Sequence, residues 1–141
     1  MGVLFDGLCF IDTNIWLYAF ISSQDKWKNS IASQVISDHD IIVSTQVVNE
    51  ISVNLLRKAD VCEQDIRKLI RSFYARYEII GLDEILLLNA SDIRTRLSLS
   101  FWDSLIVTSA LHGGANFLIT EDMQHNQLID GTLRVINPFK Q

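Results

Sequence analysis

The sequence predicts an α/β protein, a single-domain three-layer α/β/α sandwich around a mostly parallel sheet of four to five strands. Three observations carry this. Short apolar runs alternate along the chain with longer segments of helical period. The short runs are apolar throughout, as expected of strands covered by helices on both faces. The chain has 141 residues, 48% apolar and 21% charged, enough for one core with a normal globular balance. Strands separated by helices imply right-handed crossovers and hence parallel pairing. The single proline lies near the C-terminus and no compositional shift marks a boundary, so residues 1–141 read as one domain.

Leu8–Ile11 is the first expected strand, short and followed by Asp12-Thr13-Asn14. Ile15–Ile21 reads as a helix apolar nearly all round. Lys26–Ser37 is a second helix, with Trp27, Ile31 and Val35 recurring every four residues. Ile41–Val43 is a second strand. Thr45 is placed to cap the next helix, which runs to about Ala59 with Val47, Val48, Ile51 and Leu55 on its apolar face. Glu50, Asn54 and Arg57 share the flank of that face.

Glu63–Tyr77 has the clearest amphipathic stripe, with Ile66, Leu69, Ile70, Phe73, Tyr74 and Tyr77 together. Phe73, Tyr74 and Tyr77 are expected in the core. Glu78–Gly81 is a third strand and Asp83–Leu97 a helix with Leu86, Ala90, Ile93 and Leu97 on one side. Trp102–Leu111 is a helix ended by Gly113-Gly114. Phe117–Ile119 is a fourth strand, leading to Thr120-Glu121-Asp122, and Arg134–Ile136 a short fifth.

Several function classes drop out. The chain start carries no basic stretch before an apolar run, so no signal peptide is expected. No apolar segment approaches the roughly 20 residues that span a bilayer; a soluble, cytoplasmic protein is expected. Cys9 and Cys62 lack CxxC spacing and make neither a zinc site nor a disulfide framework. His39, His112 and His125 are too far apart in sequence to suggest a histidine metal site. The formal net charge of −5 argues against a large basic RNA-binding surface, although bound metal would add positive charge locally.

The chemistry rests on scattered carboxylates. Sites in such sheets form beyond the carboxyl ends of the strands. Asp12 and Asp122 follow the first and fourth strands, Glu50 lies early in the helix after the second, and Asp103 opens a late helix. Each has a bland reading: Asp12 and Asp103 as helix-cap residues, Glu50 as a solvated side chain, Asp122 as a turn residue. Together they are costly, because converging carboxylates near buried strand ends lose hydration and repel one another. A hard cation such as Mg²⁺ or Mn²⁺ resolves both problems. Such an ion lowers the pKa of water, orients phosphate and stabilises a leaving oxygen; two ions about 4 Å apart divide these tasks.

These residues resemble those of the PIN-domain ribonucleases and, within them, the VapC-type toxins of toxin–antitoxin pairs. The pieces are Ile11-Asp12-Thr13-Asn14, Asn49-Glu50, Trp102-Asp103-Ser104-Leu105-Ile106 and Leu118-Ile119-Thr120-Glu121-Asp122, in order over nearly the full chain. The resemblance implies that Asp12, Glu50, Asp103 and Asp122 bind Mg²⁺ or Mn²⁺ and hydrolyse single-stranded RNA. It implies supporting roles for Thr120 and Asn14, and marks Glu121 as a further acid. It also implies a tRNA or rRNA target, a homodimer and an inhibiting VapB-type antitoxin.

The apolar residues Ile15, Trp16, Leu17, Tyr18, Phe20 and Ile21 suit either core or a partner groove. Arg57, Lys58, Arg94 and Arg96 are candidate contacts to RNA phosphates, or plain solvated charges. A phosphatase or receiver domain is a competing reading, but Asp12-Thr13-Asn14 lacks Asp-x-Asp and no suitably placed lysine follows a later strand. Two further readings compete with the toxin: a PIN-domain RNA-processing nuclease without antitoxin, and a non-catalytic interaction module of the same fold.

Overall fold

The computed structural model describes residues 6–140. Residues 1–5, which hold the chain start, and residue 141 lie outside the described residues. The elements run β1 (Leu8–Ile11), α1 (Thr13–Phe20), α2 (Lys26–Asp38), β2 (Asp40–Ser44), α3 (Thr45–Lys58), α4 (Glu63–Arg76) and β3 (Glu78–Ile80). They continue with α5 (Glu84–Leu97), α6 (Phe101–His112), β4 (Phe117–Ile119), β5 (Leu128–Ile129) and β6 (Leu133–Ile136). One sheet has the order β3-β2-β1-β4-β6-β5, parallel except where β5 meets β6.

The sheet has six strands where four to five were expected. The addition is β5, a two-residue antiparallel pairing of Leu128 and Ile129 with Arg134 and Leu133. Two residues are too few to show any periodicity.

Cys9, Phe10 and Ile11 are successive and all fully buried. Neighbouring strand side chains point to opposite faces, so both faces of β1 are covered. One helix group, α1 with α2 and α3, and α3 with α4, packs together; α5 packs on α6. Burying the aliphatic side chains of the central strands is the main stabilising term, about 1.5–3 kcal/mol for each one fully removed from water.

Local chemistry sets the helix ends. The cap of α3 is Ser44 rather than Thr45: the Ser44 hydroxyl accepts from the Val47 N–H. Asp83 and Ser100 cap α5 and α6 in the same way. The two glycines ending α6 act differently. A Cβ on Gly113 would lie 2.2 Å from Ile42 Cδ1, so that position needs space, whereas Gly114 has φ +74°.

The stripe of α4 is only partly core. Phe73 is buried and Tyr77 half-buried, but Tyr74 is 52% exposed, correcting its expected place. The stripe wraps further round the helix than the neighbouring elements reach. Trp27 is likewise exposed on α2, where it packs against Phe139. In α1, Ile15, Trp16 and Leu17 are buried, Tyr18 is half-buried and Phe20 exposed. No helix among the described residues is long and apolar enough to cross a membrane.

Candidate functional site

Strand order reverses at β1, whose neighbours are β2 on one side and β4 on the other. Crossovers leave such a point in opposite directions and open a crevice at the strands' carboxyl ends. Ile11 pairs with Ile119, and the Asp12 N–H donates to the Ile119 carbonyl at 3.0 Å. Asp12 and Thr120 therefore face each other at the crevice floor. Asp122 rises two residues beyond Thr120, Glu50 descends from α3, and Asp103 comes from the first turn of α6. All four carboxylates line one cavity of about 200 Å³, with Thr13, Asn14, Gln46, Asn54, Trp102 and Ile106.

Asp12 is both cap and site residue. Its Oδ1 accepts from the Thr13 N–H at 2.8 Å, capping α1, and its Oδ2 accepts from the Thr120 hydroxyl at 2.8 Å. Thr120 also accepts from the Asp122 N–H at 3.2 Å, tying the two acids through one side chain. Glu50 Oε1 accepts from the Thr13 hydroxyl at 2.8 Å. Asn14 makes a long 3.5 Å contact to Asp122 Oδ2; it reaches the last acid and not the first. Ser100 accepts from the Asp103 N–H, while the Asp103 carboxylate takes no part in that cap and turns to the cavity.

Burial pushes the Asp12 carboxyl up to about 6, and Asp122 and Glu50 add to this against the hydrogen bonds from Thr120 and Thr13. Burial also raises Asp122, helped by Glu121 and Asp103 and opposed by Lys28. Among the described residues, no ion pair involves any of the four acids. The cavity lining is thus acidic and includes no Lys or Arg.

Its donors fit a hard divalent ion. They are all oxygens, and two of the carboxylates are held ready by hydroxyl donors. Among the described residues no three His, Cys, Asp or Glu side chains gather closely enough to share one ion as they stand. That is compatible with Mg²⁺, which keeps several waters and takes only one or two protein carboxylates.

Glu121 does not join this set. Tyr18 donates its hydroxyl to Glu121 Oε1, and Lys28 Nζ lies 2.7 Å from Oε2. Of the basic candidates, Arg57 and Lys58 are exposed at the end of α3. Arg94 donates to the Ser104 hydroxyl and stacks on Phe101; Arg96 is held by Asp92 and Asp130. Neither Arg94 nor Arg96 lines the acidic cavity.

Sequence reasoning assigns no role to Thr13, Gln46 or Trp102, although Thr13 and Trp102 stand in the motif pieces beside Asp12 and Asp103. Thr13 sits between two residues singled out for their own sake. Gln46 lies one helical turn before Glu50 and therefore on the same side of α3.

The parallel sheet and its carboxylate-lined switch point define an α/β protein with an oxygen-donor site. The chain belongs to the PIN domain family, whose model matches residues 9–129. Comparison with curated protein sequences gave no significant match. Among solved structures, it is similar to a toxin–antitoxin complex from Klebsiella pneumoniae: TM-score 0.70, 18% identity, over 94% of this chain and 99% of that one. A VapBC complex from Rickettsia felis, bound to a DNA fragment from its promoter, gives TM-score 0.61 and 20% identity over 92% and 99%. A VapC toxin of Mycobacterium tuberculosis that cleaves the sarcin–ricin loop gives TM-score 0.64 and 16% identity over 78% and 86%. At these identities the likeness speaks for the fold.

Proposed function

We propose that the chain is a divalent-metal-dependent endoribonuclease and the toxin of a toxin–antitoxin pair. One observation carries the reading: Asp12, Glu50, Asp103 and Asp122 line one cavity and, among the described residues, no cationic side chain is paired to any of them. PIN family membership and the toxins among the similar structures support it.

Asp12, Glu50, Asp103 and Asp122 would hold Mg²⁺ or Mn²⁺. When bound there, such an ion would supply activation of a water and neutralisation of charge on the phosphate and the leaving oxygen. Thr120 and Thr13 keep Asp12 and Glu50 in fixed orientations by donating to them; at Asp12 the Thr120 bond also favours the ionised form. Asp103 and Asp122 line the same cavity and complete its oxygen-donor wall. The cavity lining holds no Ser, Cys or Lys, and on this reading the attacking group is water rather than a side chain or the RNA 2′-hydroxyl. Arg57 and Lys58, exposed on α3, attract the RNA backbone.

For partners, the reading includes a second copy of the chain and a VapB-type antitoxin. The outer face of α5 supports the first, with Ile85 66% and Leu88 63% exposed. A cavity of about 360 Å³ between α1, α2 and α4 is lined by Trp16, Phe20, Ile36, Phe73 and Tyr77 together with Ser37, His39, Ser72 and Arg76, which supports an antitoxin segment with both apolar and polar side chains.

The test is induced expression in bacterial cells. The intact chain should arrest growth, and Asp103→Asn should abolish the arrest. Co-expression of a short reading frame adjoining the gene should restore growth. Arrest that survives Asp103→Asn would remove the nuclease from the explanation.

A further inference from the structure

Beside the acidic cavity lies a second one of about 430 Å³, lined by Thr45, Gln46, Asn49, Glu50, Leu82 and Trp102. The two share Gln46, Glu50 and Trp102, so an occupant of the second lies against the carboxylates of the first. The character changes across that boundary. The second cavity holds one acid and no basic residue, with Trp102 61% and Leu82 40% exposed at its wall.

Gln46 is the unusual member. Its side chain is buried, 7% exposed, and among the described residues neither Nε2 nor Oε1 has a hydrogen-bond partner. Buried amides are nearly always paired, because leaving them unpaired forfeits their hydration with no return. Gln46 nonetheless lines both cavities, from the first turn of α3.

We propose that this second cavity is a nucleobase subsite, which takes the unpaired base next to the scissile phosphate and reads it with the Gln46 amide. The subsite presupposes the ribonuclease activity proposed for the acidic cavity. With one acid and no Lys or Arg in its lining, this cavity favours an uncharged group over a phosphate. Trp102 offers an exposed aromatic face, on which any base can stack. The Gln46 amide presents a donor and an acceptor side by side, the pattern by which Gln pairs in two bonds with a base edge such as that of adenine. An apolar side chain from a partner protein would cover Trp102 and Leu82 but leave Gln46 unanswered. A site whose polar group needs a partner rejects ligands lacking one far more strongly than an apolar site does.

The experiment uses the whole chain with Mn²⁺ and a pool of short single-stranded RNAs randomised around a central step, with cleavage positions read by sequencing. Wild type should favour particular bases on one side of the cut. Gln46→Leu should flatten that preference at least about tenfold, hold Mn²⁺ affinity within about threefold, and raise Tm by about 3 °C as the unpaired amide goes. Trp102→Leu, an exposed change that spares the fold, should raise KM about tenfold with kcat little altered.

Unchanged base preference in Gln46→Leu would overturn the subsite while leaving the nuclease intact. So would a Trp102→Leu variant with normal KM but halved mass on size exclusion, which would assign this face to a second copy of the chain. No metal-dependent cleavage of any RNA by wild type would defeat the nuclease reading itself, and the subsite with it.

Discussion

The Thr120 hydroxyl sits between two carboxylate-bearing segments, donating to Asp12 Oδ2 at 2.8 Å and accepting from the Asp122 N–H at 3.2 Å. It thereby joins the ends of β1 and β4 and fixes the orientation of Asp12. Thr120→Val keeps the shape and removes both bonds. Support of this kind around metal-binding groups is worth about 10–100-fold in affinity. Calorimetry should show Mn²⁺ binding weakened by that order in Thr120→Val, with far-UV circular dichroism unchanged. Wild-type affinity in the variant would mean that Thr120 is only packing.

Asp12 gives the metal-free protein a pH signature. Its carboxyl is raised to about 6 by burial, above the value near 3.9 of an unfolded chain. Between about pH 4 and pH 6 the unfolded chain has released this proton and the folded chain still holds it. Stability therefore falls as pH rises through that window. Asp12→Asn should lose this part of the slope in Tm measured with EDTA present. Saturating Mn²⁺ should raise the Tm of wild type most above pH 6, where Asp12 is ionised. A Tm difference between wild type and Asp12→Asn that stays constant from pH 4 to 7 would contradict the assignment.

Glu121 and Asp122 are neighbours with different partners. Glu121 is bound by Lys28 and Tyr18, whereas Asp122 faces the acidic cavity. Glu121→Gln should therefore change Mn²⁺ affinity by no more than about threefold, and stability by no more than about 1 kcal/mol, as for a partly exposed ion pair. Asp122→Asn should cost more than about tenfold in affinity. Equal losses in the two variants would place Glu121 among the ligands.

The two thiols should react in sequence. Cys62 is exposed, and Cys9 is buried in β1 with its thiol pushed up to about 12 by burial and by Asp40. The thiolate is the reactive form. An aromatic disulfide reagent at pH 8 should label one thiol quickly in the native chain and the second only in denaturant. Two fast thiols would show that β1 opens readily.

Legibility in the sequence follows the length of the pattern. Helices α2 to α6 are legible to within a residue or two, because 12 to 14 residues give a period time to show. The strand β5 has two residues and leaves no such trace. Tyr74 misleads because a stripe marks which residues lie together and not which of them the neighbours reach. Asp12 and Asp122 are legible as strand-end residues and Asp103 as the opening of a helix, whereas Glu50 is marked mainly by resemblance; the fold brings all four to one cavity. Their supports are less so. Thr120 is marked by resemblance, whereas the Thr13–Glu50 bond joins residues 37 apart and depends on how α1 meets α3. Gln46 looks like an ordinary helix residue until its burial and lack of a partner are seen.

The four carboxylates, on this account, hold the cation that cuts RNA. The most direct test is a cleavage time course with purified chain, single-stranded RNA and Mn²⁺ or Mg²⁺, run beside EDTA and Asp103→Asn controls, with product ends mapped. The account predicts cuts that leave a 3′-hydroxyl and a 5′-phosphate, stop with EDTA, and slow on the order of 10²-fold or more in Asp103→Asn. Cleavage that continues in EDTA, or at wild-type rate in Asp103→Asn, would contradict it.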